Sequence, residues 1–228
     1  MTMQLRQPYS AGDYEFDLAR DARAPNGVYR SVFKRAFDLA IVALLALPVM
    51  TVVLICALLV LARDGANPFY RQKRIGLNGE HFWMWKLRSM VPNADKELQG
   101  YLAGNADARA EWEHSQKLRV DPRVTPIGQF LRKSSFDELP QLFNVFRGDM
   151  SIVGPRPMMT SQRSLYPGTA YYAMRPGITG YWQISVRNEC GFSERAFYDT
   201  AYFCDLSFFT DLKVLWRTVH VVLRGTGC

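Results

Sequence analysis

The sequence predicts an α+β fold: a mostly helical, monotopic membrane protein with a re-entrant N-terminal helix, a small β-hairpin and amphipathic interfacial helices. Three patterns support this prediction. Residues 39–62 form an uncharged apolar run, Asn78-Gly79 lies between β-rich flanks, and apolar residues recur at helical spacing after residue 138. We divide the chain into a disordered tail at 1–30, a re-entrant membrane helix at 31–64, a cytoplasmic core at 65–190 and C-terminal amphipathic helices at 191–228.

The composition narrows the classes of function. The formal net charge is +7, from 28 Lys and Arg against 21 Asp and Glu, which suits nucleic acid, anionic lipid or a phosphorylated substrate. No two cysteines form a C-x-x-C pair, and Cys56 lies in the apolar run. We therefore do not expect paired disulfides and predict a reducing compartment. The sequence has no H-E-x-x-H zinc motif, neither of the common glycine-rich phosphate loops and no D-x-D triplet.

The apolar run at 39–62 is long enough for a membrane. Its 24 residues would form about 36 Å of helix, against about 30 Å for a bilayer core. Pro48, in its interior, removes a backbone hydrogen bond and bends the helix. Lys and Arg flank the run on both sides, whereas a spanning helix gathers them on the cytoplasmic side. We predict a helix that bends at Pro48 and enters and leaves by the cytoplasmic face; a simple spanning helix is the alternative.

Three further elements follow in the sequence. Residues 68–90 predict a hairpin that turns at Asn78-Gly79. The Ala-, Glu- and Lys-rich segment 93–118 predicts an exposed polar helix. Residues 210–225 predict a helix with one apolar face, which is either part of the core or an interfacial membrane helix anchored by Trp216.

The segment KSSFDELPQLFNVFRGD, residues 133–149, contains the acidic pair Asp137-Glu138. A capping box would start a helix at Ser135, but Pro140 would then fall at its fifth position, where the missing N–H is needed. Starting the helix at Asp137 places Pro140 in the first turn, so we predict Asp137 as the N-cap. In the simplest interpretation the pair is structural, because this cap stabilises by about 1 kcal/mol and Glu138 suits the helix dipole.

A functional interpretation of the pair is also open. A helix N-terminus favours phosphate, and we expect a carboxylate near Arg132, Lys133 and Lys86 to stay ionised. Such a carboxylate can attack a bound phosphate when cations neutralise the repulsion. Pro155 and Pro157 hold Arg156 stiffly between them, which suits a guanidinium that binds phosphate oxygens through two hydrogen bonds. A surface-loop arginine is the alternative.

From residue 33 to residue 227 the sequence resembles the bacterial sugar transferases, the monotopic polyprenyl-phosphate phosphoglycosyltransferases. Four motifs carry the resemblance in order: YRQKRIGLNG, KLRSM, SFDELPQLFNVFRGDMSIVGPRP and RPGITGYWQIS. The chain is similar to the short members that initiate exopolysaccharide, of the undecaprenyl-phosphate galactose phosphotransferase type. The resemblance makes 65–190 the phosphoglycosyltransferase core.

The resemblance implies a reaction in two displacements. Asp137 would attack the β-phosphate of a UDP-hexose, either UDP-galactose or UDP-glucose, and expel UMP. The phosphosugar on this carboxylate would then pass to undecaprenyl phosphate, in the first step of exopolysaccharide repeat-unit assembly. Ping-pong kinetics are the expected signature.

The resemblance also implies the roles of the other site residues. Asp137 and Glu138 are the catalytic pair and would hold Mg²⁺, which binds through one or two carboxylates plus substrate phosphates. The basic positions that would hold the phosphates are Lys86, Arg132 and Arg156. Two further substrate-binding positions are Gln183 and Arg187.

The expected location is the cytoplasmic face of the bacterial inner membrane, where a soluble nucleotide sugar meets a lipid phosphate. The expected partners are the UDP-hexose, undecaprenyl phosphate and membrane lipid, without nucleic acid; a homodimer through the polar segment 93–118 stays open. No residue identifies the sugar.

The sequence departs from the family pattern at several positions. Leu47 replaces the serine that often precedes the membrane proline, and Thr51 would substitute by bonding a carbonyl one turn back. Val186 replaces a glycine, and Asp205-Leu206-Ser207 replaces Asn-Trp-Ser. These changes keep a rival interpretation open: a non-catalytic, membrane-anchored assembly or regulatory protein. The other rivals are a nucleic-acid binder and an enzyme that transfers the sugar without its phosphate.

Overall fold

The computed structural model describes residues 27–115, 118, 120–185 and 192–223. It is a mixed helical and sheet structure, as the sequence predicts. The predicted tail lies almost entirely outside the described residues. We label the helices α1 Lys34–Asp64, α2 Ala94–Gly104, α3 Ala106–Ser115, α4 Pro126–Lys133, α5 Gln141–Arg147, α6 Tyr181–Ser185, α7 Arg195–Asp205 and α8 Phe208–Leu223. The strands are β1 Phe69–Ile75, β2 His81–Leu87, β3 Ser151–Val153, β4 Met158–Met159 and β5 Gly177–Thr179.

Helix α1 follows a π-helical turn, Tyr29–Phe33, and continues through Pro48. The hydroxyl of Thr51 donates a hydrogen bond to the carbonyl of Leu47 at 3.0 Å, which is the predicted bond to a carbonyl one turn back. Within the described residues α1 is the one helix long and apolar enough to cross a membrane, and large apolar side chains such as Leu44 and Leu47 are exposed. Its re-entrant course stays a prediction.

The hairpin turns where the sequence predicts. Asn78 and Gly79 both adopt positive φ, 56° and 79°, which is the conformation that tight hairpin turns require. Gly76 N–H donates to the carbonyl of Glu80 at 2.6 Å and closes the turn. Strand β4 extends the hairpin into a three-stranded sheet in the order β2-β1-β4, with β1 and β4 antiparallel.

The polar segment 93–118 forms two helices, α2 and α3, so the prediction of a single helix was wrong. The break is at Asn105, whose backbone is extended (φ −138°, ψ 104°). Its side chain accepts a hydrogen bond from Ala108 N–H at 3.0 Å, as an N-cap does. Gly104 ends the preceding helix, because glycine is a poor helix former and asparagine a good cap.

The acidic pair does not cap a helix, contrary to the prediction. Residues Phe136–Glu138 form a separate 3₁₀ turn, and α5 begins at Gln141. Ser135 precedes this turn with a φ of 58° and makes no side-chain cap, so the capping-box alternative fails as well. Pro140 has no N–H to donate, so it cannot continue the hydrogen bonding of the 3₁₀ turn, and it lies between that turn and α5.

The chain divides into two compact units. The first comprises Met1–Leu44, Lys73–Met84 and Leu142–His220, and the second comprises Leu45–Gln72, Trp85–Gln141 and Val221–Cys228. In the first unit, β3 and β5 pair in parallel beneath the buried faces of α7 and α8. The core of the second unit is formed by Cys56, Ala57, Val60, Leu87 and Leu131.

Helix α8 is amphipathic. Val214 and Asp211 are buried, whereas Phe209, Leu212, Trp216 and Val219 form an exposed apolar strip. The sequence predicted either a core helix or an interfacial membrane helix. The face that carries Val214 belongs to the core, and the exposed strip around Trp216 has the composition of an interfacial surface.

Candidate active site

Strand β2 brings a lysine to the acidic pair. Lys86 is the penultimate residue of β2 and is partly buried. Its ammonium lies 2.8 Å from Glu138 Oε1 and 3.7 Å from Asp137 Oδ2. One cation therefore contacts both carboxylates, at a site where the lysine side chain is 19% exposed.

The 3₁₀ turn holds the two carboxylates in different environments. Asp137 is buried, and the Glu138 side chain is 23% exposed. Ser135 turns the chain back after α4, and hydrogen bonds from Glu138 N–H to Ser135 and from Leu139 N–H to Phe136 close the turn. The partly buried ring of Phe136 packs against the core of the second unit and meets the Phe130 ring edge-on at 5.9 Å. These contacts hold the turn against α4.

Arg132, in the last turn of α4, is the second cation of the pair. Its Nε donates to Ser89 Oγ at 2.9 Å. Burial lowers the pKa of Arg132, and the neighbouring charge of Asp137 opposes that shift. The half-buried guanidinium of Arg132 is therefore held in its charged form partly by Asp137.

A glycine lets α4 approach the strand that carries Lys86. A Cβ on Gly128 would lie 1.9 Å from the carbonyl oxygen of Ser89, far inside van der Waals contact. Thr125 caps the helix by accepting from Gly128 N–H at 2.9 Å, and its own N–H donates to Ser89 at 3.1 Å. The spacing of Arg132 and Lys86 depends on this close contact.

The donor set fits a cation that substrate oxygens complete. Asp137 and Glu138 are adjacent carboxylates, which is the type of ligand that Mg²⁺ takes alongside phosphates. Within the described ranges no cluster of three or more His, Cys, Asp or Glu is present. A fully protein-built metal cage is therefore not found in that part of the chain.

The remaining predicted site residues belong to the first unit or lie outside the described chain. Arg156 is half-buried in the turn after β3, with its guanidinium 5.9 Å from the centre of the Trp182 ring. Gln183, on α6, is buried, and its Nε2 is 3.5 Å from the carbonyl of Ile178. Arg187 lies outside the described residues. The structure thus brings together Lys86, Arg132, Asp137 and Glu138 in the second unit.

The sequence did not predict the roles of three residues, Ser89, Arg195 and Asp199. Ser89 orients Arg132, but a serine after a strand carries no signal of that role. Arg195 and Asp199 are buried on α7, and their i, i+4 spacing on an amphipathic helix was the signal that could have identified them.

A family model described as bacterial sugar transferase matches residues 29–225. The chain belongs to the bacterial sugar transferase family. Among its curated relatives is the exopolysaccharide production protein ExoY of Sinorhizobium fredii (strain NBRC 101917 / NGR234), 42% identical over 198 residues, which are 86% of this chain and 88% of that protein.

Two other relatives of this sugar transferase are longer. The undecaprenyl-phosphate galactose phosphotransferase of Salmonella typhimurium is 42% identical over 85% of this chain and 41% of its own length. The UDP-glucose:undecaprenyl-phosphate glucose-1-phosphate transferase of Klebsiella pneumoniae is 36% identical over 85% of this chain and 40% of its own length. The chain therefore spans about two-fifths of the length of these curated relatives.

Proposed function

We propose that this sugar transferase moves a hexose 1-phosphate from a UDP-hexose to undecaprenyl phosphate and releases UMP. The proposal rests on one observation. The buried carboxylate of Asp137 interacts with two cations, Lys86 and Arg132. The relatives with galactose and glucose transferase names support the class of donor and the lipid acceptor. The likeness to an exopolysaccharide production protein supports a role in exopolysaccharide production, where we place this transfer at the first step.

In the proposed first step, a carboxylate oxygen of Asp137 attacks the β-phosphorus of the donor. The bond from that phosphorus to the bridging oxygen breaks, UMP leaves, and an acyl phosphate links Asp137 to the sugar. In the second step a phosphate oxygen of undecaprenyl phosphate attacks the same phosphorus. The bond to Asp137 breaks, the carboxylate is restored, and the lipid diphosphate sugar is the product.

The neighbouring side chains have separate tasks in this mechanism. Lys86 and Arg132 offset the repulsion between the Asp137 carboxylate and the incoming diphosphate. The negatively charged donor can therefore approach the negatively charged carboxylate. Glu138, together with Asp137, would hold Mg²⁺. When bound, that ion supplies further neutralisation of phosphate charge.

The membrane placement belongs to the same proposal. The apolar side chains exposed along α1 are suited to lipid, and residues at its C-terminal end pack in the same core as Leu131 and Phe136. A helix that bends at Pro48 and returns to the cytoplasmic face would hold the acidic pair at the membrane surface. The donor would then arrive from solution and the lipid phosphate from the bilayer.

The test is the nucleotide released by the purified full chain in detergent, with Mg²⁺, undecaprenyl phosphate and either UDP-galactose or UDP-glucose. The proposal predicts UMP, and the faster donor identifies the sugar. Release of UDP would mean transfer of the sugar alone. No nucleotide from folded protein across a panel of UDP-hexoses would favour a non-catalytic assembly protein.

A further inference from the structure

The turn that carries Arg156 is held at three consecutive carbonyls. The carbonyl of Pro155 accepts from Gly177 N–H of β5 at 2.8 Å, and that of Pro157 accepts from an Arg74 amino group of β1 at 3.2 Å. Between them, the carbonyl of Arg156 itself accepts from Arg195 Nη2 at 2.6 Å. Three different elements therefore fix the backbone from which the Arg156 side chain extends.

Arg195 also contacts the ring beside the Arg156 side chain. Its guanidinium carbon lies 5.2 Å from the centre of the Trp182 ring, and the Arg156 guanidinium carbon lies 5.9 Å from the same centre. Cations at such distances from an indole ring are attracted to its face. Arg195 thus contacts both the backbone of Arg156 and the aromatic ring near its guanidinium.

Helix stability gives a poor account of Arg195. It is the first residue of α7 and is 6% exposed, so a cation is buried at the positive end of a helix dipole. Asp199, one turn later, supplies an opposite charge, and Tyr166 donates to that carboxylate at 2.8 Å. Replacement of a buried ion pair by apolar residues is often neutral or stabilising, so helix stability alone does not account for this arginine.

We propose that Arg195 is a positioning residue for Arg156: it fixes the Arg156 carbonyl and the Trp182 ring, and thereby the direction of a guanidinium that binds a phosphate of the nucleotide. This inference rests on the proposed function and on the phosphate-binding role that the family resemblance implies for Arg156. Arg195 touches no reacting atom in this account. Its effect on the reaction passes through Arg156.

A double-mutant cycle tests this dependence. Arg195→Met, Arg156→Met and the double variant are compared with wild type as purified full chains. Arg195→Met alone should lower kcat/KM about 10- to 100-fold, as misplacing a phosphate-binding cation does. With Met already at position 156 the same change should cost less than about 3-fold. Equal losses in the two backgrounds, or no loss from Arg195→Met alone, overturn the proposal.

Two further variants guard against a loss of folding. Arg30→Met is the matched control, because Arg30 also donates to a backbone carbonyl, that of Ala173 at 3.0 Å, and stacks on an aromatic ring, that of Phe203 at 4.5 Å. It should change kcat/KM by less than about 3-fold in either background. If Arg195→Met fails to fold, Arg195→Lys replaces it in the cycle; a lysine keeps a donor but loses the planar stack, and the same background dependence is expected.

A binding measurement separates this proposal from the proposed function. Calorimetric titration of the same four proteins with UDP and Mg²⁺ needs no transfer chemistry. Arg195→Met should weaken UDP affinity when Arg156 is present and have little effect when it is absent, even if no UMP is ever released. Equal weakening in both backgrounds, or wild-type affinity in Arg195→Met, overturns the positioning role while leaving UMP release intact. A wild type that binds no UDP overturns both.

Discussion

The ammonium of Lys86 lies 2.8 Å from Glu138 Oε1 and also 3.7 Å from Asp137 Oδ2. Both carboxylates therefore form ion pairs with one lysine of β2. They lie in a separate 3₁₀ turn and not at the start of α5. This relationship replaces the helix dipole as the reason why two adjacent carboxylates are tolerated at a partly buried position.

Removal of this ammonium should impair the reaction more than the fold. Lys86→Met keeps the length and the apolar stem of the side chain, but leaves Asp137 and Glu138 with less compensation when a diphosphate arrives. We expect kcat/KM to fall at least about 100-fold, since loss of one electrostatic stabiliser typically costs that much. Lys86→Arg is the control, since it keeps the charge with a different shape and should retain more activity than Lys86→Met. Equal activity of Lys86→Met and wild type would remove the lysine from the mechanism.

The contact between α4 and Ser89 predicts a sharp difference between two glycines. Gly128→Ala would force a Cβ to 1.9 Å from backbone, so we expect a lower thermal midpoint and loss of UMP release through a displaced Arg132. Gly100→Ala meets nothing within 4 Å in helix α2 and should be neutral or slightly stabilising. Thermal unfolding in detergent and UMP release are measured for both. Similar midpoints for the two variants would contradict the close approach.

Burial of Asp199 predicts a pH-dependent stability. Burial raises the pKa of Asp199 from its ordinary value of 3.8 to about 6, although Arg195 and Tyr166 oppose the shift. Because the folded state holds the proton more tightly, the contribution of this group is full below pH 3.8 and is lost as pH rises through about 6. The difference amounts to about 3 kcal/mol.

The measurement for Asp199 compares two proteins across pH. Thermal midpoints of wild type and Asp199→Asn are recorded in detergent between about pH 4.5 and 7.5, which brackets the raised pKa. We expect wild type to lose stability relative to Asp199→Asn as pH rises, since asparagine carries no titrating proton. A midpoint difference that stays constant over this range would mean that the carboxyl of Asp199 does not titrate there.

Labelling at the two ends of α1 tests its topology. Ser31 and Asn67 are exposed on either side of the apolar stretch, so each is changed to cysteine in a chain whose native cysteines are replaced by serine. With a membrane-impermeant maleimide, a re-entrant helix predicts labelling of both sites from the cytoplasmic side. Pro48→Ala should shift part of the population to labelling from opposite sides, because the bend is relieved. Opposite-side labelling without that change would establish a spanning helix.

Local signals predicted part of the fold correctly. The Asn78-Gly79 turn depends on two residues that accept positive φ, and the hydroxyl of Thr51 reaches back one turn as expected. Both are short-range effects, which a sequence records directly. The break at Asn105 was just as local, but the alanines around it masked the cap.

The position of the acidic pair could not be predicted from local signals. The start of α5 depends on Ser135, which adopts a left-handed conformation because α4 and the following turn require a reversal there. The contact of Lys86 with the pair joins residues about 50 positions apart through the packing of β2. Lys86 and the acidic pair were instead predicted from the four motifs shared with the bacterial sugar transferases. A motif pattern shared by a family reflects tertiary contacts, whereas hydrophobic periodicity reflects only local structure.

In the proposed mechanism the sugar phosphate is carried on Asp137. The most direct measurement mixes the wild type with UDP-hexose and Mg²⁺ in the absence of undecaprenyl phosphate, and follows UMP together with the mass of the peptide that contains Asp137. A covalent intermediate on Asp137 predicts a burst of UMP approaching one equivalent of enzyme, a peptide heavier by one hexose phosphate, and neither in Asp137→Asn. UMP that forms only after undecaprenyl phosphate is added, with no modified peptide, would mean direct transfer between the two substrates and would exclude an intermediate on Asp137.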